Sequence, residues 1–260
     1  MSKPVALITG ASSGIGEALA RMFASNGHDL VITARRESRL DEIAEDLGVE
    51  VGVTVIPADL SASRGAQRLA RDVAEAGIEV DVLVNNAGIG GQGQFHNMAH
   101  SKVAEMINVN VRALTEITLA LVPPMVARGN GRILNVASVV AFRAFPGMTV
   151  YSASKAFVLS FSESLTEELR GTGVTVTALC PGLTKTEMVD DVTGPNVPDF
   201  LIASAEDVAR EGFDACMRGE VIRVPGQMNQ AMVAWLELQP RWLTRMLSGF
   251  AARATLPNPR

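Results

Sequence analysis

Seven short apolar runs recur along this chain, with helical patterns filling the gaps between them. The runs read PVALIT, DLVIT, VTVIP, VDVLVN, RILNVAS, VTVTALC and EVIRVP, each rich in Val and Ile and bounded by Gly, Asp or Pro. Runs of this length without polar alternation predict strands buried on both faces. The segments between them carry helical spacing: Leu40, Ile43, Ala44 and Leu47 fall at i, i+3, i+4 and i+7. Repeated strand–helix alternation implies a doubly wound α/β domain, a seven-stranded parallel sheet with helices on both faces. No linker, low-complexity stretch or internal repeat interrupts it. The expected organisation is one domain over residues 1–226, with 227–260 a helical extension. In that extension Trp242, Leu243, Met246, Leu247 and Phe250 share one helical face, and Arg241, Thr244, Arg245 and Ser248 share the other. Pro240 is expected to separate two short helices.

Charge and cysteine usage narrow the function classes. The net charge is -5 and no basic run occurs, which argues against nucleic-acid binding. Cys180 and Cys216 form neither a metal spacing nor a disulfide framework, so a reduced compartment and no metal are expected. The N-terminal apolar run, Val5 to Ile8, is too short for a signal-peptide core. No stretch is expected to reach the length of a membrane-spanning helix. A cytoplasmic protein without membrane insertion follows.

The first strand runs into TGASSGIG, Thr9 to Gly16. Gly10 permits a tight turn, Gly14 lets backbone approach a pyrophosphate, and Gly16 lets the next helix pack closely on the strand. The helix start then offers free N–H groups to phosphates. A plain βα turn is the alternative, but placement between the first strand and an amphipathic helix favours a nucleotide. The spacing G-xxx-G-x-G differs from the common G-x-G-x-x-G and resembles that of the short-chain dehydrogenase/reductase family. Further residues extend the resemblance from about Val5 to Val224. Asp59 and Leu60 follow the third strand, and Asn85-Asn86-Ala87-Gly88 matches the family's NNAG motif. Asn110 lies mid-helix, Ser138 ends the fifth strand, and Tyr151 and Lys155 form YxxxK. Pro181-Gly182 follows the sixth strand, with Thr184 and Thr186 beyond. The resemblance implies a Rossmann-type fold. It also implies cofactor contacts from Gly10, Ser12, Ser13, Gly14, Ile15 and Gly16, and from the residues just named after later strands.

Cofactor choice is read at the end of the second strand, LVITARRE. An acid there would bind ribose hydroxyls and repel a 2′-phosphate; this chain has Ala34, followed by Arg35 and Arg36. An arginine fork suits a phosphate. NADP is therefore expected over NAD, with Arg35 the main contact and Ser12 or Ser13 assisting.

Tyr151 is the single tyrosine of the chain. It stands at i to Lys155 at i+4, on the same helical face. An ammonium nearby is expected to lower the phenol from its ordinary value of about 10, toward proton exchange with an alcohol or carbonyl. The resemblance supplies the remaining roles. Ser138 steadies the substrate oxygen, Lys155 also binds the nicotinamide ribose, and Asn110 holds a water that links Lys155 to solvent. The expected reaction interconverts a ketone or aldehyde and its alcohol. The alternative is a nucleotide-sensing protein without turnover, which would not need the tyrosine.

The substrate mouth is expected to be apolar. Val139, Phe142, Phe145 and Met148 lie between Ser138 and Tyr151; Gly90, Gly91 and Gly93 form a flexible edge; the segment from Thr186 to Ser204 forms a lid through Met188, Val189, Phe200 and Leu201. A small apolar carbonyl or alcohol is the expected partner. His28 and His100 read as surface or satisfied residues, and His96 as a candidate for the mouth. The extension can cover the pocket, pack at a subunit contact or lie on a membrane surface; its apolar face with arginines opposite resembles an interfacial helix, but Glu237 and few lysines favour packing on the protein. By resemblance, a homodimer or homotetramer forms through helices near Ser101–Ala127 and Tyr151–Arg170.

Overall fold

The computed structural model describes residues 3–186 and 202–255. Seven strands, β1 (Val5–Thr9), β2 (Asp29–Thr33), β3 (Val53–Val55), β4 (Val82–Asn85), β5 (Gly131–Val136), β6 (Val174–Leu179) and β7 (Ile222–Arg223), form one sheet. All neighbours are parallel, in the order β3-β2-β1-β4-β5-β6-β7. The helices between them are α1 (Gly14–Ser25), α2 (Glu37–Leu47), α3 (Gly65–Glu75), α4 (His100–Ile107), α5 (Leu114–Arg128), α6 (Thr149–Glu168) and α7 (Ala205–Arg218). After β7 come α8 (Gln227–Leu238) and α9 (Arg241–Thr255), on either side of Pro240 as expected.

One apolar cluster packs α1, α2 and α7 on one sheet face, through Leu19, Phe23, Leu40 and Val208. A second packs α3 and α5 on the other, through Leu69, Ile117 and Met125. Each fully buried Leu or Ile contributes about 2 kcal/mol relative to exposure. The central strands are buried as predicted, but β3 and β7 are only partly so. They are the sheet edges, with a neighbouring strand on one side only. Winding reverses between β1 and β4, so a crevice opens beyond their carboxyl ends, the usual ligand position in such sheets.

Three expectations need correction. The helical run His100–Arg128 is 29 residues long and apolar enough to cross a membrane by length and composition. It nonetheless buries Leu114, Ile117, Leu121 and Met125 against the sheet, as a core helix does. His28 is buried rather than at the surface, edge-on to Phe23 at 5.1 Å. Its Nδ1 finds no hydrogen-bond partner among the described residues, and burial lowers its pKa. The extension packs on the protein only in part. Val233 of α8 is buried, but α9 turns Thr244 inward and leaves Trp242, Met246 and Phe250 at 60%, 54% and 72% exposure. Of its polar strip only Thr244 is buried, while Arg241 and Arg245 stay exposed like the apolar arc.

Candidate active site

The loops after β1 and β4 are tied together by β1's last residue. Thr9 Oγ1 donates to Val84 O and accepts from the backbone N–H groups of Asn86 and Ala87, at 3.0–3.2 Å. Asn86 Nδ2 donates back to the carbonyls of Thr9 and Gly10 at 3.0 and 3.1 Å. The Asn86 side chain is therefore a brace of the loop. Gly10 and Gly14 adopt positive φ, 68° and 56°. A Cβ on Gly16 would lie 2.1 Å from the Gly10 carbonyl oxygen, so only glycine permits this approach.

Around these loops lies a cavity of about 470 Å³. Its wall includes Gly10, Ser12, Ser13, Gly14, Ile15 and Gly16, then Asp59, Leu60, Asn86, Ala87 and Gly88. Ser138, Tyr151, Lys155, Pro181, Gly182, Thr184 and Thr186 are also on the wall; Asn110 is not, but its Oδ1 would lie 3.6 Å from a Cβ on the wall residue Gly88. A dinucleotide suits this cradle. Ser13 at the start of α1 makes no side-chain cap, leaving the first-turn N–H groups for an anion. A Cβ on Gly14 would lie 2.8 Å from Thr186 Cγ2, and one on Gly88 3.3 Å from Lys155 Nζ.

Both arginines after β2 line the cavity. Arg35 pairs with Glu105 of α4 at 3.2 Å. Arg36, ranked behind Arg35 in the fork read from the sequence, donates to the Ser12 carbonyl and hydroxyl at 3.2 and 3.3 Å, which fixes it on the glycine loop. Its contact was concealed, since two adjacent arginines at a helix start do not show which one the loop holds. Asp59 accepts from the Ser61 N–H and hydroxyl, and these bonds hold its carboxyl below the ordinary value.

At the other end, Lys155 is buried and donates to Val136 O at 2.8 Å. Its Nζ lies 5.8 Å from the Tyr151 ring centroid. Burial pulls the ammonium down to about 8. Burial also pushes the Tyr151 phenol up, opposed by hydrogen bonding to Ser138. The expected lowering of the phenol by Lys155 is not what this geometry gives, because desolvation outweighs a charge set over the ring face. Ser138 Oγ also donates to Pro181 O and accepts from Val140 N–H, both at 3.4 Å. Asn110 sits in a π-helical turn, Asn108–Ala113, between α4 and α5. Its amide exchanges hydrogen bonds with the Ile89 backbone at 2.8 and 3.0 Å and donates to Ser154 Oγ at 3.0 Å. π-turns inside helices concentrate at functional sites.

The mouth differs from expectation in part. Val139 and Phe142 pack inward on the cluster of Val158 and Val233. Phe145 is exposed. Gly93 N–H donates to Gly147 O at 2.8 Å, pinning the glycine edge to the segment before Tyr151. His96 is exposed and outside the cavity wall. Met188, Val189, Phe200 and Leu201 lie outside the described residues. The ends of their segment are tied, since Lys185 N–H donates to Ala203 O and Ala203 N–H to Leu183 O, each at 2.9 Å.

Known proteins resemble this arrangement. A model of the family described as short chain dehydrogenase matches residues 4–196. Sulfoacetaldehyde reductase 2 of Chromohalobacter salexigens is 40% identical over 214 residues, 79% of this chain and 85% of that protein. A short-chain dehydrogenase of Sphingobium yanoikuyae, solved in complex with NADPH, is 32% identical with a TM-score of 0.81, covering 99% of this chain and 98% of its own. The alcohol dehydrogenase of Comamonas testosteroni specific for bulky-bulky ketones is 30% identical with a TM-score of 0.77, covering 100% and 97%.

Proposed function

Since the chain belongs to the short-chain dehydrogenase/reductase family, we propose that this oxidoreductase uses NADP(H) to interconvert an apolar ketone or aldehyde and its alcohol. The observation that carries the reading is one cavity with two arginines at one end and Ser138, Tyr151 and Lys155 at the other. When bound, the nicotinamide supplies or takes up the hydride at the carbonyl carbon. Every other requirement falls to the chain.

Arg35 and Arg36 receive the 2′-phosphate, with Ser12 or Ser13 beside it. The first turn of α1 receives the pyrophosphate. Ser138 hydrogen-bonds the substrate oxygen. Tyr151 hands its proton to that oxygen during reduction and takes it back during oxidation. A phenol held neutral by burial is in the correct form to donate. Lys155 binds the nicotinamide ribose through its ammonium, and Asn110, against Ile89 and Ser154, orders the route by which Lys155 reaches solvent protons. These proton and hydride moves call for no metal.

Phe145 and Met148 stand in sequence between Ser138 and Tyr151, which suits a hydrophobic carbonyl. Residues 1–226 form the catalytic domain and 227–260 its extension. The exposed Leu119 of α5 and Phe157 of α6 fit a homodimer or homotetramer. Both cysteines are free and buried, consistent with the cytoplasm.

Spectrophotometric consumption of NADPH across a panel of apolar aldehydes and ketones tests the reading. Turnover with NADPH, and much weaker turnover with NADH, is the expected result. Tight NADPH binding without turnover on the whole panel would turn the assignment toward a sensing role.

A further inference from the structure

The two helices after β7 carry an apolar surface that remains open. On α8, Met228, Met232 and Trp235 stand at i, i+4 and i+7, all exposed. On α9, Trp242, Met246 and Phe250 continue the exposure. Large exposed apolar side chains concentrated on two successive helices mark a docking site rather than ordinary surface.

Charge identifies the occupant. Arg241 and Arg245 are exposed and flank the apolar arc of α9. Residues 227–260 hold four arginines against one glutamate, whereas the rest of the chain holds 19 basic against 27 acidic residues. Positive charge is thus concentrated in the same stretch of sequence as the apolar arc, with Arg241 and Arg245 exposed beside it. Both tryptophans of the protein lie there too. An apolar arc of Trp, Met and Phe edged by arginine is the make-up of a helix lying in a membrane interface. A second copy meeting this face about a two-fold axis would bring a second set of arginines to the same interface, with Glu237 the one acid of residues 227–260. An anionic bilayer matches both the apolar arc and the charge.

The surface also adjoins the site. Arg143, between Ser138 and Tyr151, donates to the Leu236 carbonyl of α8 at 2.6 Å. Val233 shares a buried cluster with Val139 and Phe142. Asn229 packs against Gly182 of the cavity wall.

We propose that α8 and α9 dock this protein on an anionic lipid surface, their apolar residues at the headgroup–acyl boundary and Arg241 and Arg245 of α9 among the headgroups. A carbonyl compound partitioned into the lipid then meets the cavity from the adjoining side. This differs from membrane insertion, since the helices lie on the surface and span nothing.

The test uses the full chain with vesicles of phosphatidylcholine alone and of phosphatidylcholine mixed with phosphatidylglycerol. Co-sedimentation and tryptophan emission are read together, because Trp235 and Trp242 are the only indoles. We expect binding with a blue shift on the mixed vesicles, at least about tenfold tighter than on phosphatidylcholine. Arg241→Glu with Arg245→Glu should remove the anionic preference, and Met246→Glu with Phe250→Glu should remove binding altogether. Both variants should keep wild-type NADPH oxidation with a water-soluble ketone, which shows that they fold. Absence of binding to either vesicle, or equal binding to both, would overturn the proposal. So would a concentration-dependent dimer that Met246→Glu dissociates, which would assign the face to a second copy.

Discussion

A lysine as buried as Lys155 keeps its charge only against a desolvation penalty. Its ammonium, pulled down from 10.5 to about 8, titrates within reach of ordinary assay buffers. The unfolded chain holds that proton up to about 10.5, so folding carries the full penalty below pH 8 and sheds it between pH 8 and 10.5. Activity should move the opposite way. We predict that kcat/KM for carbonyl reduction falls about tenfold per pH unit above roughly 8, while this residue's effect on thermal stability improves over the same range. A flat rate up to about pH 10 would remove Lys155 from the proton route. The arginines support a second prediction. Arg36→Ala and Arg35→Ala should each weaken NADPH binding by about 1.5–3 kcal/mol, the usual worth of a charged hydrogen bond, and leave NADH within about twofold. Isothermal titration with both cofactors decides it, and equal losses for the two would refute phosphate recognition. The place of Arg35 on the cavity wall was legible from the strand end alone. Arg36 was not, because its value depends on Ser12 lying 3.2 Å away, a contact between residues 24 apart in sequence.

The glycine loop and the first turn of α1 work as one unit with the loop after β4. Gly16 shows how tightly they fit. A methyl group there would come within 2.1 Å of Gly10 O and 2.4 Å of Asn86 Nδ2, so backbone must move. Gly16→Ala should cost about 1–3 kcal/mol of stability, a fall of roughly 2–10 °C in Tm for a chain of this size. It should also lower NADPH affinity at least about tenfold, because the N–H groups facing the pyrophosphate shift with the loop. Scanning fluorimetry with and without NADPH reads both quantities, and an unchanged variant would contradict the close-packing argument. This element was readable in advance because glycine spacing after a strand reports a steric need directly. The π-turn at Asn108–Ala113 was not. Its sequence, NVNVRA, continues a helical pattern, and the extra residue per turn appears only once Asn110 is drawn to the Ile89 backbone.

The alternation of Val/Ile runs with helical spacing was sufficient for all seven strands and for a parallel sheet, because the central strands are buried on both faces and even the partly buried edges β3 and β7 keep short Val/Ile runs bounded by breakers. The strand order, and with it the crevice between β1 and β4, required the structure. So did the orientation of the extension. The helical arc from Trp242 to Phe250 was visible in the sequence, but amphipathic spacing alone does not say whether the apolar side turns to the protein or away. Thr244 facing inward settles that. His28 escaped for a similar reason: a lone histidine before a strand gives no sign that Phe23 and Phe213 enclose it. What unites the molecule is that the sheet brings Arg35 and Arg36 and the set Ser138, Tyr151 and Lys155 to one cavity, the arrangement the proposed transfer requires. The decisive measurement is pre-steady-state NADPH oxidation by wild type and Tyr151→Phe on the best carbonyl of the panel, with NADPH affinity measured in parallel. The account predicts a loss of at least about a hundredfold in the rate of reduction with NADPH affinity retained. A Tyr151→Phe protein that reduces the carbonyl at the wild-type rate would contradict it.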